Sequence, residues 1–304
     1  MDLFKEKFLR TPRTWTDILP ITYLAAFALL FVGAILASAT GSSNLAKLFT
    51  PDTDVQEFMN NYIAFIGTWI VIPAAILIPK PNRPMIRQIF PKKISKVLIG
   101  IVIGGVAGFL LNSINVVGAV LLGDLKLHFN KIEVLTIIGF ILFVGIQSGA
   151  EEILSRLYIY QKLRRRYKDP FVAVAGNALF FVALHLGNDG LNAASVLELL
   201  GWGVLFALIV LYFDNLWISI ALHTSWNFTQ NIFYGLPNSG LVSKYSIFKL
   251  DAAADDFFFD TGFGVEGSWG AVLVLVIICT VLIIKYRDHE KNDIWKQGDW
   301  KQDR

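Results

Sequence analysis

Long apolar runs alternate with short polar connections along the whole chain. A helix that crosses the hydrocarbon core of a membrane needs about 20 largely apolar residues. Eight segments approach that length, and we predict a transmembrane helix in each: 19–39, 58–78, 97–122, 134–160, 171–186, 196–213, 216–234 and 267–284. The pattern predicts an all-α polytopic protein, a bundle of about eight transmembrane helices. We expect residues 1–304 to form a single integral membrane domain with a polar tail at 287–304.

The composition narrows the class further. Of the 304 residues, 55% belong to the set AVILMFWYC and 17% are charged, with a mean hydropathy of +0.55. Soluble domains reach about 45–50% apolar residues only when glycine is counted, so an ordinary soluble enzyme is excluded. The single cysteine, Cys279, allows no intramolecular disulfide.

The positions of the lysines and arginines predict an orientation, because cytoplasmic connections are enriched in both residues. With eight alternating spans, 22 of the 27 cations fall on one side. They lie in the N-terminal tail, in the connections after the second and fourth segments, and in the C-terminal tail. The other side receives only Lys47, Lys126, Lys131, Lys244 and Lys249. Both termini are therefore predicted to be cytoplasmic.

Ionisable residues inside the spans are the first candidates for function, because burying them in lipid is costly. Glu151, Glu152 and Arg156 lie in the fourth segment, His185 in the fifth and His223 in the seventh. Glu198 also falls in a segment, so near its outer end that we expect an interfacial position. The alternative for the two acids of the fourth segment is the headgroup region, but apolar residues continue beyond them.

Spacing predicts which of these residues meet. Glu152 and Arg156 are four residues apart with the acid first, the favourable order for a helical ion pair. This pairing leaves Glu151 without a local partner, on a polar stripe that we expect to line a cavity. Glu151 and His185 each lie 17 residues from Lys168, at the turn between the fourth and fifth segments. Equal distances from a turn place both side chains at a similar depth in antiparallel helices.

The seventh segment carries a further polar stripe, His223, Asn227 and Asn231, at intervals of four residues. His223 reaches the depth of Glu151 only if the short turn at 214–215 lies sunken in the membrane. The alternative is plain hydrogen bonding between helices. The long outer connection 235–266 is predicted to be a loop or a short amphipathic piece.

A carboxylate and two imidazoles at one depth could activate water for hydrolysis, and an amide could donate to an oxyanion. This chemistry describes water-mediated peptide hydrolysis within the membrane. Two histidines and a glutamate could instead hold Zn²⁺ and leave one position for water. The ligands would then be Glu151, His185 and His223. The residues alone leave both versions open.

Three motifs together carry a family resemblance. The sequences Glu151-Glu152-x-x-x-Arg156, Phe181-x-x-x-His185 and His223-x-x-x-Asn227, in this order on apolar segments, resemble the CPBP family. That family includes type II CAAX prenyl proteases and bacteriocin-processing or immunity proteins. The matching core covers roughly residues 130–235.

The resemblance implies an eight-helix bundle whose active-site cavity opens to the cytosol. Glu151 would activate water with assistance from His185, and His223 and Asn227 would bind the oxyanion. Glu152, Arg156 and Phe181 would support the site. The family has been interpreted both as metalloproteases and as glutamate proteases, and we favour the version without a cofactor, with Zn as the alternative.

We therefore predict an intramembrane endopeptidase in a multi-pass membrane protein, located in the plasma membrane if the source is bacterial. Its expected partners are the lipid bilayer and a membrane-embedded peptide or prenylated protein, and no nucleic acid. The main alternative is a non-catalytic immunity or scaffold protein of the same family. A third possibility is a proton-coupled transporter. The sequence does not support it, because it shows no internal repeats of the kind typical of that class. The substrate and the oligomeric state stay open.

Overall fold

The structure, a computed structural model, describes residues 8–10, 14–289 and 292–295. The described α-helices are α1 Leu19–Ala39, α2 Thr53–Ile63, α3 Thr68–Leu77, α4 Ile94–Leu122, α5 Val134–Glu152, α6 Tyr160–Arg166, α7 Pro170–His185, α8 Ala193–Phe213, α9 Leu216–Phe228 and α10 Trp269–Tyr286. A π-helix, Ile153–Ile159, joins α5 to α6, and a second, Thr229–Phe233, extends α9. Four 3₁₀ segments complete the helical part: Trp15–Asp17, Ser42–Leu48, Lys80–Gln88 and Val265–Gly267.

Each of the eight predicted segments is helical. Six helices of the described chain are long and apolar enough to cross a membrane, and they cover the first four, the sixth and the eighth predicted segments. The fifth, α7, has only 16 residues, and the seventh is divided between α9 and its π-helical extension. The chain is an integral multi-pass membrane protein, whereas the count of eight spans and the orientation of the termini stay predictions.

The π-helix after α5 is enclosed by the rest of the bundle. All seven of its residues are buried, so the residues just before it are held deep inside the protein. Single π-helical turns within α-helices are frequent at functional sites. The chain therefore places Glu151 and Glu152 directly before a fully buried helical segment.

Helix α9 is fixed by unusually close contact with α4. A Cβ atom on Gly104 would lie 2.3 Å from the carbonyl oxygen of Ile218, and one on Gly108 would lie 2.4 Å from that of Leu222. Only glycine permits two helix backbones to approach so closely, an arrangement that favours helix association in membranes. This contact sets the position of the helix that carries His223.

One end of the bundle gathers the positive charges. Arg165 pairs with Asp17 at 2.6 Å, and Arg164 pairs with Asp293 at 3.0 Å. The indole of Trp295, which is 4% exposed, donates to the carbonyl of Gln161. Residues 292–295 of the predicted polar tail therefore pack against α6, and the side chain of Asn292 also donates to the carbonyl of Tyr212 at the end of α8. The rest of the tail beyond 289 and the N-terminal cations Lys5, Lys7 and Arg13 lie outside the described residues.

The opposite end carries a two-stranded antiparallel sheet that the all-α prediction missed. Strand β1, Leu125–Phe129, pairs with β2, Phe248–Ala253, with Leu127 opposite Leu250. Apolar and polar residues alternate in β1, which is the pattern of a half-buried strand. The connection 235–266 therefore contains a strand in addition to loop.

The close approach of α4 and α9 can be tested with two neighbouring glycines. Gly104→Ala places a methyl group against the α9 backbone, and overpacking of this kind costs about 1–3 kcal/mol. Gly105→Ala is the matched control, since nothing lies within 4 Å of its Cβ position. We expect thermal unfolding in detergent, followed by tryptophan fluorescence, to show a lower midpoint for Gly104→Ala alone. Equal midpoints for the two variants would contradict the packing.

Candidate active site

The carboxylate of Glu151 lies between the two membrane histidines. Its Oε2 atom is 3.8 Å from Nε2 of His185 and 3.9 Å from Nε2 of His223. Both separations exceed a direct hydrogen bond, and Oε2 has no hydrogen-bond partner among the described residues. Gln147 donates to the other oxygen, Oε1. The expectation that Glu151 lacks a local partner is therefore wrong for one oxygen atom.

Backbone and side-chain acceptors orient both imidazole rings. Nδ1 of His185 lies 2.8 Å from the carbonyl oxygen of Phe181, and Nδ1 of His223 lies 3.0 Å from Oε1 of Glu152. Because both partners can only accept, each Nδ1 carries a proton. Each ring therefore presents Nε2 to Glu151. The structure thus brings together Glu151 and His185, predicted to share a depth, and also His223, whose depth the sequence left uncertain.

A buried ion pair stands behind His223. Nη1 of Arg156 donates to Oε1 of Glu152 at 3.0 Å, and neither side chain is exposed. The guanidinium carbon of Arg156 lies 4.4 Å from the ring centre of Phe181 and 4.7 Å from that of Phe206. Attraction between a cation and an aromatic ring is strong where water is excluded. Sequence reasoning missed Phe206, because one aromatic residue in an apolar helix gives no signal.

Asn227 lies on the wall of a cavity of about 360 Å³ that also contains Glu151 and both histidines. Its Nδ2 atom is 3.3 Å from Oγ of Ser148 and 3.4 Å from Oε1 of Gln147. These long contacts leave the amide N–H groups free to turn to a stronger acceptor. The cavity therefore holds a carboxylate, two imidazoles and an amide donor.

The cavity opens at the end of the bundle opposite the positive charges. Exposed residues Gly187, Asp189 and Leu241 line its rim, whereas buried Leu154 and Phe206 close its floor. The rim belongs to the connections 186–192 and 235–266, which the charge pattern assigns to the non-cytoplasmic side. The charge pattern therefore predicts a cavity that opens on the non-cytoplasmic side, whereas the family resemblance implies one open to the cytosol, and both stay predictions.

The outer connection contributes two cavity residues that sequence reasoning missed, Asn238 and Glu266. Nδ2 of Asn238 lies 2.7 Å from Oε1 of Glu266 and 3.3 Å from Oδ1 of Asn227. Burial raises the pKa of Glu266, while hydrogen bonds from Trp226 and Ser239 oppose that shift. No local pattern marks either residue, since both reach the site through a long connection.

Two other polar residues of the apolar segments lie apart from the reacting groups. Glu198 is fully buried and accepts a hydrogen bond from the indole of Trp202, and its interfacial depth stays a prediction. Nδ2 of Asn231 donates to the carbonyl oxygens of Leu236 and Leu241 at 2.9 Å. Asn231 therefore anchors the outer connection and is not part of the cavity wall.

The proposed zinc ligands do not have the spacing of a zinc site. Ligand atoms about 2.1 Å from a tetrahedral zinc ion lie about 3.4 Å from one another, shorter than the 3.8 and 3.9 Å found between Glu151 and the two histidines. Within the part of the chain that the structure describes, no group of three His, Cys, Asp or Glu side chains is arranged for a metal.

Comparison with known proteins supports the family resemblance. Residues 131–229 match the model of the family described as Type II CAAX prenyl endopeptidase Rce1-like. The match covers about a third of the chain, falls inside the predicted core 130–235 and contains all three motifs. No curated protein and no solved structure gave a significant match. The resemblance to the CAAX protease family is confirmed, and it supports a peptidase activity.

The opposite placement of the cavity rim and the cation-rich end can be measured by labelling. In a Cys279→Ala background, Lys92→Cys and Val242→Cys each introduce one exposed thiol, at opposite ends of the bundle. We expect a membrane-impermeant maleimide to label Val242→Cys in right-side-out vesicles and Lys92→Cys in inverted ones. Labelling of both from one side would contradict the fold. The reverse labelling pattern would overturn the charge-based orientation and would show that the cavity opens to the cytosol.

Proposed function

We propose that the chain is an intramembrane endopeptidase that hydrolyses a peptide bond with water activated by Glu151. The observation that carries the proposal is the unpartnered Oε2 of Glu151, facing Nε2 of both His185 and His223 across gaps of 3.8 and 3.9 Å. A water molecule that bridges these atoms would sit about 2.8 Å from each. It would be held and polarised at the wall of the cavity.

In the first step, Glu151 takes a proton from the water while the water oxygen attacks the carbonyl carbon of the substrate. The carbonyl π bond breaks and its electron pair becomes an oxyanion. The Nδ2 amide of Asn227 donates to that oxyanion, as does Nε2 of His223 when the ring is protonated on both nitrogens, with Glu152 as counter-ion at Nδ1. Preorganised donors of this kind supply much of the rate enhancement in acyl transfer.

In the second step, the carbonyl π bond re-forms and the C–N bond breaks. The proton taken by Glu151 passes through Nε2 of His185 to the leaving amine, so the products are a carboxylic acid and an amine. The proton on Nδ1 of His185 stays with the carbonyl of Phe181, which fixes the ring in the tautomer that this transfer needs.

The cavity limits what can be cleaved. Its volume of about 360 Å³ lies at the small end of the range for ligand pockets, about 300–1,000 Å³, so a short extended segment fits and a folded domain does not. The substrate class that follows from the family match is a lipidated peptide with a C-terminal CAAX sequence. An internally quenched, farnesylated CAAX peptide is therefore the first probe.

Replacing the water-activating carboxylate should abolish cleavage of this probe. A positioned general base contributes about 10²–10⁴-fold to a rate, and we expect a loss of this size for Glu151→Ala in detergent-purified protein. Asn115→Ala is the control, because Asn115 is also a buried polar residue but donates to the carbonyl oxygen of Leu111 in its own helix and does not line the cavity. Cleavage by Glu151→Ala at the wild-type rate would overturn the proposal.

The role of a metal is a separate question with its own measurement. Histidines that bind zinc also donate Nδ1–H to carbonyl or carboxylate groups, the partners found for His185 and His223. We expect protein that has been dialysed against a chelator, and shown by elemental analysis to be metal-free, to keep the wild-type rate. Loss of activity that Zn²⁺ restores would replace the metal-free mechanism with a zinc-dependent one.

A further inference from the structure

A chain of hydrogen bonds connects the outer connection to the amide of Asn227. Glu266 stands at its outer end, in the 3₁₀ segment Val265–Gly267 before α10. Asn238 follows, with Nδ2 at 2.7 Å from Oε1 of Glu266 and 3.3 Å from Oδ1 of Asn227. All three side chains are at least nine-tenths buried. The chain therefore links a carboxylate outside the motifs to the proposed oxyanion donor.

The carboxylate of Glu266 is held rigidly by its surroundings. Oε1 also accepts from the indole nitrogen of Trp226 at 2.9 Å, and Oε2 accepts from the backbone nitrogen and the hydroxyl of Ser239 at 2.7 and 3.0 Å. These donors come from α9 and from the outer connection. Glu266 consequently joins the connection to the helix that carries Asn227.

The order of donors and acceptors fixes which way each amide points. A carboxylate only accepts, so Asn238 must turn its NH₂ group to Glu266. The second N–H of that group faces Asn227, which must therefore accept the hydrogen bond with its Oδ1 atom. The NH₂ group of Asn227 is then directed the other way, toward the cavity and Gln147.

We propose that Glu266 and Asn238 are positioning residues that hold the Asn227 amide with Nδ2 toward the oxyanion. This role rests on the proposed hydrolase function and extends it to the outer connection. The same orientation is also favoured from the Glu151 side through Gln147. Glu151, however, gains a proton in each turnover, whereas Glu266 stays outside the reaction. The outer end of the chain therefore keeps the amide oriented throughout the cycle, and the long contact from Nδ2 to Oγ of Ser148 favours the same orientation.

Steady-state cleavage of the farnesylated CAAX peptide tests the role. Asn238→Ala removes the link but leaves Glu266 its bonds to Trp226 and Ser239. Misplacing a catalytic group by about an ångström costs up to about 100-fold, so we expect kcat to fall about 10- to 100-fold with KM changed less than about twofold. Glu266→Gln, whose amide can both donate and accept, should lower kcat in the same way. Asn115→Ala, which removes a buried amide that does not line the cavity, should match wild type.

A double-mutant cycle separates positioning from general damage. Loss of one oxyanion donor lowers kcat about 10²–10³-fold, the expected effect of Asn227→Ala. If Asn238 acts through Asn227, the variant with both changes should be no slower than Asn227→Ala. The positioning role would be overturned if the kcat losses of the two single variants multiplied in the double variant, or if Asn238→Ala kept the wild-type kcat. The hydrolase function would still be tested separately by Glu151→Ala. Full cleavage by Glu151→Ala would instead overturn that function.

Thermal unfolding gives a second readout that needs no activity. We expect Asn238→Ala to lower the unfolding midpoint of the wild-type protein more than that of Asn227→Ala, because the bond between the two amides is already absent there. Equal decreases in both backgrounds would show that the amides are not coupled, and would overturn the proposal even for a protein that leaves the probe uncleaved.

Discussion

The buried ion pair of Arg156 and Glu152 is the interaction on which the rest of the site depends. Two charges removed from water require close pairing, and loss of one partner of such a pair costs about 3–5 kcal/mol. Here the cation is also enclosed by the rings of Phe181 and Phe206, while Oε1 of Glu152 holds His223. Four helical segments therefore meet around a single buried guanidinium, whose Nη1 is bonded to Glu152 while Nε and Nη2 have no hydrogen-bond partner among the described residues.

The local part of this arrangement follows from sequence. The spacing of four residues predicts the pairing of Glu152 with Arg156, and equal distances from a tight turn predict the shared depth of Glu151 and His185. Both inferences depend only on helical geometry within one hairpin. The depth of His223 could not be derived in the same way, because it depends on the close packing of α9 against α4 through Gly104 and Gly108.

The parts that sequence did not predict are those built by distant pairings. Strands β1 and β2 are separated by more than a hundred residues, and a two-stranded sheet of five or six residues per strand gives too weak an alternation to stand out among apolar helices. Trp295 and Asp293 similarly lie in a stretch that the sequence predicts to be a polar tail. Their partners, Gln161 and Arg164, are more than a hundred residues away in the chain. The three motifs carry the family resemblance, but they contain no information on the connection that closes the cavity.

The connection after α9 also determines where the length of this protein can change. Only ten residues separate Asn227 from Asn238, and the π-helix and Asn231 use most of them to return the chain to the cavity. Strand β2, by contrast, pairs with β1 alone and is largely open to its surroundings. An inserted epitope or a natural insertion is therefore compatible with the edge of the sheet. The stretch between the two asparagines must keep its length, because an insertion there would move Asn238 away from Asn227.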